Sequence, residues 1–249
     1  MKIHIFKNVK ELNVALAEKI CEVAEFAIKN RGEFTLVLSG GGSPKKLYHL
    51  LASETYKDRI DWSKTYFFFG DERFVPANDS ERNSLMIKNL LLEPLKIPES
   101  QIYDFDTSGT PEEAAEKYDA AIATHFQDSP IEFDFNLLGL GANSHTASLF
   151  PETEVLAEIE AAVKAVFVNE LDMYRLTMTA PLINQSRNIA FIVFGADKAD
   201  AVYHVLEDET GSAELYPARL ISTEEEKTEW FIDEAAAAKL SKNKKISGF

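Results

Sequence analysis

Cysteine is almost missing from this chain: Cys21 is the only one in 249 residues. A single thiol excludes an internal disulfide and a thiolate metal cluster within one chain. It falls on a helical stripe with Leu16, Ile20, Val23 and Ala24, which reads as core packing. Long apolar runs are missing as well. No stretch approaches the ~18 residues that a membrane-spanning helix needs. Met1 to Lys7 lacks the apolar segment of a signal peptide, so a reducing cytoplasm is the expected location. Basic residues are scarce: 26 Lys and Arg stand against 41 Asp and Glu, a formal net charge of −15. That balance argues against nucleic acid and against an anionic membrane as partner. If the ligand is an anion, cations must be gathered locally at its site. Metal motifs are also missing. There is no HExxH, and the five histidines, His4, His49, His125, His145 and His204, are scattered. The chain has no Walker loop, no GxGxxG and no GxSxG.

What is present is a core. Hydrophobic residues make up 45% of the chain and aromatics 11%, enough for one α/β domain or two small ones. Ile3–Phe6 reads as an edge or first strand. Val9–Asn30 reads as a long helix on the spacing of Leu12, Val14, Leu16, Ile20, Val23, Ala24 and Ala27, with a stop at Asn30-Arg31-Gly32. Short apolar strands are expected at Phe34–Leu38, Thr65–Phe69, Phe135–Leu138, Ala165–Asn169, Ile189–Phe194 and Trp230–Asp233. Helices are expected from Pro44 to about Ala52, over Asn83–Leu92, Val155–Val163 and Ala235–Leu240, and, after the turn Gly195-Ala196-Asp197-Lys198, to about Leu206. The clearest helix is Thr110–Phe126, with Thr110 as cap, Pro111 first and Glu113 three residues on. Thr177–Ile183 is a further short apolar segment, and the polar stretch Ser241–Phe249 reads as frayed. Strands alternating with helices predict a doubly wound, mostly parallel sheet with helices on both faces, a Rossmann-like three-layer α/β fold. One domain spanning residues 1–249 is the economical expectation.

Four strands run into polar, glycine-containing turns, at Ser39, Gly70, Gly139 and Gly195. In a parallel sheet the C-terminal strand ends share one edge, and ligands bind in the crevice there. The four turns should therefore bring together Ser39, Ser43, Asp71, Arg73, Asn143, His145 and Lys198. The Gly40-Gly41-Gly42 turn lets backbone N–H groups approach a ligand. With Ser43 as a helix cap and Pro44 in the first turn, it is the clearest anion candidate. It reads equally as a plain turn with a capping serine. His145 suits proton transfer near neutral pH, or a structural place beside a turn. Lys198 either adds charge at the same anion or lies solvated at a helix start. Arg73 either pairs with Asp71 and Glu72 or reaches a substrate oxygen bidentately. Arg175 and Arg219 are further cations of unfixed position. Ser148 lies only three residues from His145, so water is the better nucleophile.

These residues fall in an ordered series of segments: SGGGSPKKLYHLLA (39–52), GDERFVP (70–76), SERNS (80–84), LLGLGANSHTASLFP (137–151), RLTMTAPLIN (175–184), GADKADAV (195–202), YPARLI (216–221) and WFIDEAAA (230–237). In that order they resemble the 6-phosphogluconolactonase family, within the larger group that includes glucosamine-6-phosphate deaminase. The resemblance implies hydrolysis of 6-phosphoglucono-δ-lactone in the oxidative pentose phosphate pathway, with no metal and no cofactor. It places His145 as the catalytic histidine and Arg73 as an active-site arginine. It assigns the 6-phosphate to Gly41, Gly42, Ser43 and Lys198. His145 would deprotonate water, with backbone N–H groups around Gly141–Ser144 and Arg73 at the oxyanion. Activity would then fall as pH drops through roughly 6.5. Two departures stand out. The usual Asp-Gly before the histidine is Asn143-Ser144, and SGGSTP is SGGGSP. If the family glycine has φ > 0, Ser144 costs roughly 1–2 kcal/mol there. A deaminase carries Asp at the position of Asn143 and an HIAFNEP-like run where this chain has HTASLFP, so both differences disfavour deamination. A sugar-phosphate sensor without chemistry is the non-enzymatic alternative. The expected partner is a small sugar-phosphate lactone, and the choice between monomer and homodimer is open.

Overall fold

The computed structural model describes residues 1–127, 129–221 and 227–241. Six parallel strands form the main sheet: β1 (Lys2–Phe6), β2 (Phe34–Leu38), β3 (Thr65–Phe69), β5 (Phe135–Leu138), β8 (Ile189–Val193) and β9 (Thr228–Asp233), in the order β1-β9-β8-β5-β2-β3. A smaller antiparallel sheet follows the order β4-β7-β6, from β4 (Asp71–Arg73), β6 (Val163–Val168) and β7 (Met173–Met178). β2, β5, β8 and β9 are buried along their whole length, as in a parallel sheet covered on both faces. This is the Rossmann-like α/β architecture expected from the alternation of elements.

The helices are α1 (Val9–Arg31), α2 (Lys45–Leu51), α3 (Asn83–Ile87), α4 (Pro111–Phe126), α5 (Ala180–Asn184) and α6 (Ala199–Leu206). Asn8 caps α1 by accepting from the N–H groups of Lys10 and Glu11, and Gly32 closes it at φ 89°. Its stripe from Leu12 to Ala27 is buried and includes Cys21, whereas Val14 faces out. α4 carries the expected capping box between Thr110 and Glu113. α3 passes into a π turn over Lys88–Leu92 rather than continuing as one regular helix.

The chain order gives the sheet its crevice. From β2 the chain winds outward to β3, then crosses back to β5 and runs on through β8 to β9. The winding direction reverses between β2 and β5, and ligands bind at such a switch point. Two tyrosines hold the strand ends that border it. The Tyr48 hydroxyl donates to the Ser39 carbonyl (2.6 Å) and accepts from the Ser39 N–H (3.0 Å). Tyr118 does the same at Phe69, at 3.2 and 2.7 Å.

Three expectations are corrected. Val155–Val163 is not a helix: only Glu154–Ala157 makes a 3-10 turn, and Val163 opens β6. Thr179 holds this stretch extended, its hydroxyl donating to Glu160 and accepting from the Ala162 N–H. Ala235–Leu240 is a run of turns: Asp233 caps the Ala236 N–H, but after the Ala237 N–H reaches the Asp233 carbonyl (3.0 Å) the bonds span three residues, Ala238 to Ala235 (3.4 Å) and Leu240 to Ala237 (3.1 Å), so no regular helix follows. The hydroxyl of Ser43 caps nothing; Pro44 holds the capping position of α2, with no side-chain bond. The frayed tail lies, after Ser241, outside the described residues. Among the described residues, no helix is long and apolar enough to cross a membrane.

Candidate active site

A cavity of about 350 Å³ opens at the switch point, within the size range of small-ligand sites. Ser39, Gly40, Gly41, Gly42, Ser43, Asp71, Arg73, His145, Arg175 and Lys198 all line it. The four strand-end turns therefore do meet. Asn143 is not in the wall; it sits behind His145. Arg219 lies elsewhere, with Nε donating to the His204 carbonyl (2.9 Å) and Nη1 to that of Gly211 (2.6 Å).

One wall is the glycine turn. Among the described residues, the N–H groups of Gly40, Gly41, Gly42 and Ser43 donate to no protein acceptor, so four consecutive donors are left for a ligand or water. Gly41 takes φ 79°. At Gly40 a Cβ would lie 1.9 Å from Asn83 Oδ1, so only glycine lets the loop pass over that side chain. α2 is too short for its dipole to matter much, and the loop itself makes the cradle.

The opposite wall carries cations. Register pairs Arg73 on β4 directly with Arg175 on β7, and like charges set opposite each other repel. Buried Asp71 lies beside them, and its own carboxylate accepts from the Ser148 hydroxyl at 2.7 Å. Burial pushes Asp71 up, while Ser148, Arg175 and Arg73 pull it down. Arg73 Nη1 donates to the Glu81 carbonyl at 2.6 Å, but Nε of Arg73 and Nε of Arg175 are buried without partners. Two apposed guanidinium groups with free donors fit an anionic or strongly polar ligand. Glu72 fixes the base of this wall. Its carboxylate accepts from the N–H groups of Arg73 (2.8 Å), Asn83 (2.7 Å) and Ser84 (2.8 Å), so it holds Arg73 and caps α3 together.

His145 sits between these walls. Its ring stacks on Phe150 at 4.1 Å and lies over Gly141, where an added Cβ would come within 2.1 Å of Nδ1. Asn143 Oδ1 lies 2.5 Å from Nδ1 and also accepts from the His145 N–H at 3.3 Å. The amide nitrogen of Asn143 donates to Glu170 Oε1 at 3.1 Å. Among the described residues nothing bonds Nε2. Burial, with the charges of Lys198 and Arg175, holds the imidazole down to about 4, so it is neutral at neutral pH.

Two expectations change here. The fall in activity through roughly 6.5 does not follow for the free protein, because burial, and after it the charges of Lys198 and Arg175, disfavour imidazolium. The expected backbone oxyanion site is narrowed: Gly141 N–H donates to the His145 carbonyl (2.8 Å) and Ser144 N–H to that of Gly141 (3.0 Å), so these two N–H groups are taken up within the turn. The turn also requires φ 64° at Ser144, the left-handed conformation that glycine takes most easily.

Sequence reasoning missed Asn83, Phe150 and Glu170 as parts of the site. Asn83 and Phe150 lie inside the quoted segments and were available by proximity. Glu170, at the tip of the β6–β7 hairpin, carried no signal, since it falls in none of them.

The sequence over residues 7–230 matches the family described as glucosamine-6-phosphate isomerases/6-phosphogluconolactonase. A 6-phosphogluconolactonase from Nostoc sp. is 37% identical over 220 residues, covering 86% of this chain and 88% of that protein. One from Synechocystis sp. is 38% identical over 218 residues, with the same coverage. Among solved structures, a devB protein shares 32% identity at a TM-score of 0.84, covering 96% of this chain and 99% of that one. The 6-phosphogluconolactonase of Trypanosoma cruzi shares 27% at 0.84, covering 96% and 97%. With nearly the whole chain matched, its fold shared and the switch-point cavity carrying the segments that suggested the likeness, this protein belongs to the glucosamine-6-phosphate isomerase/6-phosphogluconolactonase family.

Proposed function

We infer that the protein is a 6-phosphogluconolactonase, hydrolysing 6-phosphoglucono-1,5-lactone to 6-phosphogluconate in the oxidative pentose phosphate pathway. The observation that carries this reading is a neutral imidazole, with Nε2 unpartnered, between a cradle of free N–H groups and a pair of arginines. The 6-phosphate docks on the N–H groups of Gly41, Gly42 and Ser43, with Lys198 beside it. His145 Nε2 takes a proton from a water as the water oxygen bonds C1 of the lactone. Arg73 and Arg175 stabilise the oxyanion of the tetrahedral intermediate. As the bond from C1 to the ring oxygen breaks, His145 returns the proton to that oxygen, and the acid product leaves with the base restored. No step requires a metal, and among the described residues no group of three His, Cys, Asp or Glu side chains is arranged to hold one.

Deamination has less support. Its proton-transfer carboxylate would stand at Asn143, whose amide here is committed to His145 and Glu170. The test is to supply the lactone and glucosamine 6-phosphate separately. Lactone loss faster than the spontaneous rate, with no ammonia from the amino sugar, is expected. Ammonia release without lactone hydrolysis would overturn the reading, and binding of 6-phosphogluconate without acceleration would mark a sensor.

A further inference from the structure

The hydrogen bond from Asn143 to Glu170 has a consequence for the ring two bonds away. An asparagine amide can turn either end toward a neighbour, offering Oδ1 or NH₂. A carboxylate only accepts. Glu170 therefore favours one orientation, NH₂ toward Glu170 and Oδ1 toward His145 Nδ1, and it reinforces the long bond by which the His145 N–H donates to the same Oδ1 (3.3 Å). An oxygen facing Nδ1 requires the proton there, which leaves Nε2 with its lone pair. In the flipped amide, oxygen would face the carboxylate and NH₂ would face Nδ1. The ring proton would then move to Nε2, and the nitrogen lining the cavity would have no lone pair to accept with.

We propose that Glu170 is a positioning residue, acting through Asn143 to hold His145 as the Nδ1–H tautomer with its Nε2 lone pair toward the cavity. The inference rests on His145 serving as general base. It explains how this chain works with Asn143, which lacks the charge that would fix the tautomer directly. The structure supplies that charge from another element. The Asn169–Leu171 turn joins β6 to β7, with Asp172 at φ 48° closing it, and brings Glu170 to the cavity rim within 3.1 Å of Asn143.

The test uses E170Q, the N143D/E170Q double variant and the wild type, with ¹⁵N spectra of the histidine rings and steady-state kinetics on the lactone. A glutamine keeps the size of Glu170 but both accepts and donates, so residue 170 no longer selects an orientation and only the long bond from the His145 N–H does. In E170Q, kcat falls about three- to tenfold, as for losing one exposed charge-assisted hydrogen bond, with KM little changed. The His145 signals shift toward a mixture of tautomers. In N143D/E170Q, the carboxylate at position 143 accepts the Nδ1 proton and the amide at 170 donates to that carboxylate, so kcat and the Nδ1–H spectrum return. An E170Q protein with wild-type kcat and an unchanged Nδ1–H spectrum overturns the proposal. So does an effect confined to KM, which would make Glu170 a substrate contact. The ring spectra are read without substrate. A failure of the general-base reading would instead show as full activity in H145Q, whatever the tautomer.

Discussion

His145 is held neutral by its surroundings, and the direction of its shift has two consequences. The folded protein takes up the imidazole proton near 4, against an ordinary value of 6.5. Between those values the unfolded chain binds more protons than the folded one, so this group lowers stability as pH falls through that window. Lys198 and Arg175 contribute to the depression, so removing one cation relieves part of it. Proton NMR titration of the His145 ring should show an apparent value well below 6.5 in the wild type, rising toward it in Lys198→Ala. An identical titration in both would place Lys198 away from the ring. Ser144 gives a second expectation. Its φ of 64° at a buried position costs about 1–2 kcal/mol relative to glycine, less the extra flexibility glycine brings to the unfolded chain. Ser144→Gly should raise the free energy of unfolding by about 0.5–1 kcal/mol, read as a higher urea midpoint. At this scale the sequence disclosed the residues inside a continuous segment, such as His145 and Arg73. It hid Glu170, whose partner lies 27 positions away and whose role depends only on where a hairpin tip comes to rest.

The elements were legible where one face or both is buried. β2, β3, β5 and β8 are short apolar runs, and each begins within a residue of its expected start. The small sheet was not legible. β4 is three polar residues, Asp71–Arg73, inside what reads as a turn, and it exists because Glu72 anchors it to α3 and β7 pairs with it. Val163 and its neighbours suit a helix by composition, but pairing with β7 outweighs that local preference. The glycine turn is an element whose shape the sequence did suggest, though not the reason for it. Gly40 is glycine because Asn83 lies against its Cα, while the Asn83 amide donates to the Asp71 carbonyl at 3.1 Å. Gly40→Ala pushes the two apart and moves both walls of the cavity. A drop of about 10- to 100-fold in kcat/KM on the phosphorylated lactone is expected, with a smaller loss on a lactone lacking the phosphate. Equal losses on both substrates would separate the loop from phosphate recognition.

Across the molecule, a chain of net charge −15 sets three of its 26 Lys and Arg residues around one cavity. Arg73 and Arg175 come from neighbouring strands of the small sheet and Lys198 from the turn after β8, and all three line the cavity at the reversal between β2 and β5. Parallel strands ending in glycine turns made the gathering of Arg73 and Lys198 inferable before any coordinates, while Arg175 had no fixed place. The cross-strand pairing of Arg73 with Arg175 belongs to the antiparallel sheet and was not inferable. The proposed reaction turns on one group, the unpartnered Nε2 of His145, as the base that takes a proton from water. The direct measurement is kcat for lactone hydrolysis by His145→Gln, corrected for the spontaneous reaction, with binding of 6-phosphogluconate checked alongside. The account predicts a loss of about 10²- to 10⁴-fold with binding retained; a variant that hydrolyses the lactone at close to the wild-type rate would contradict it.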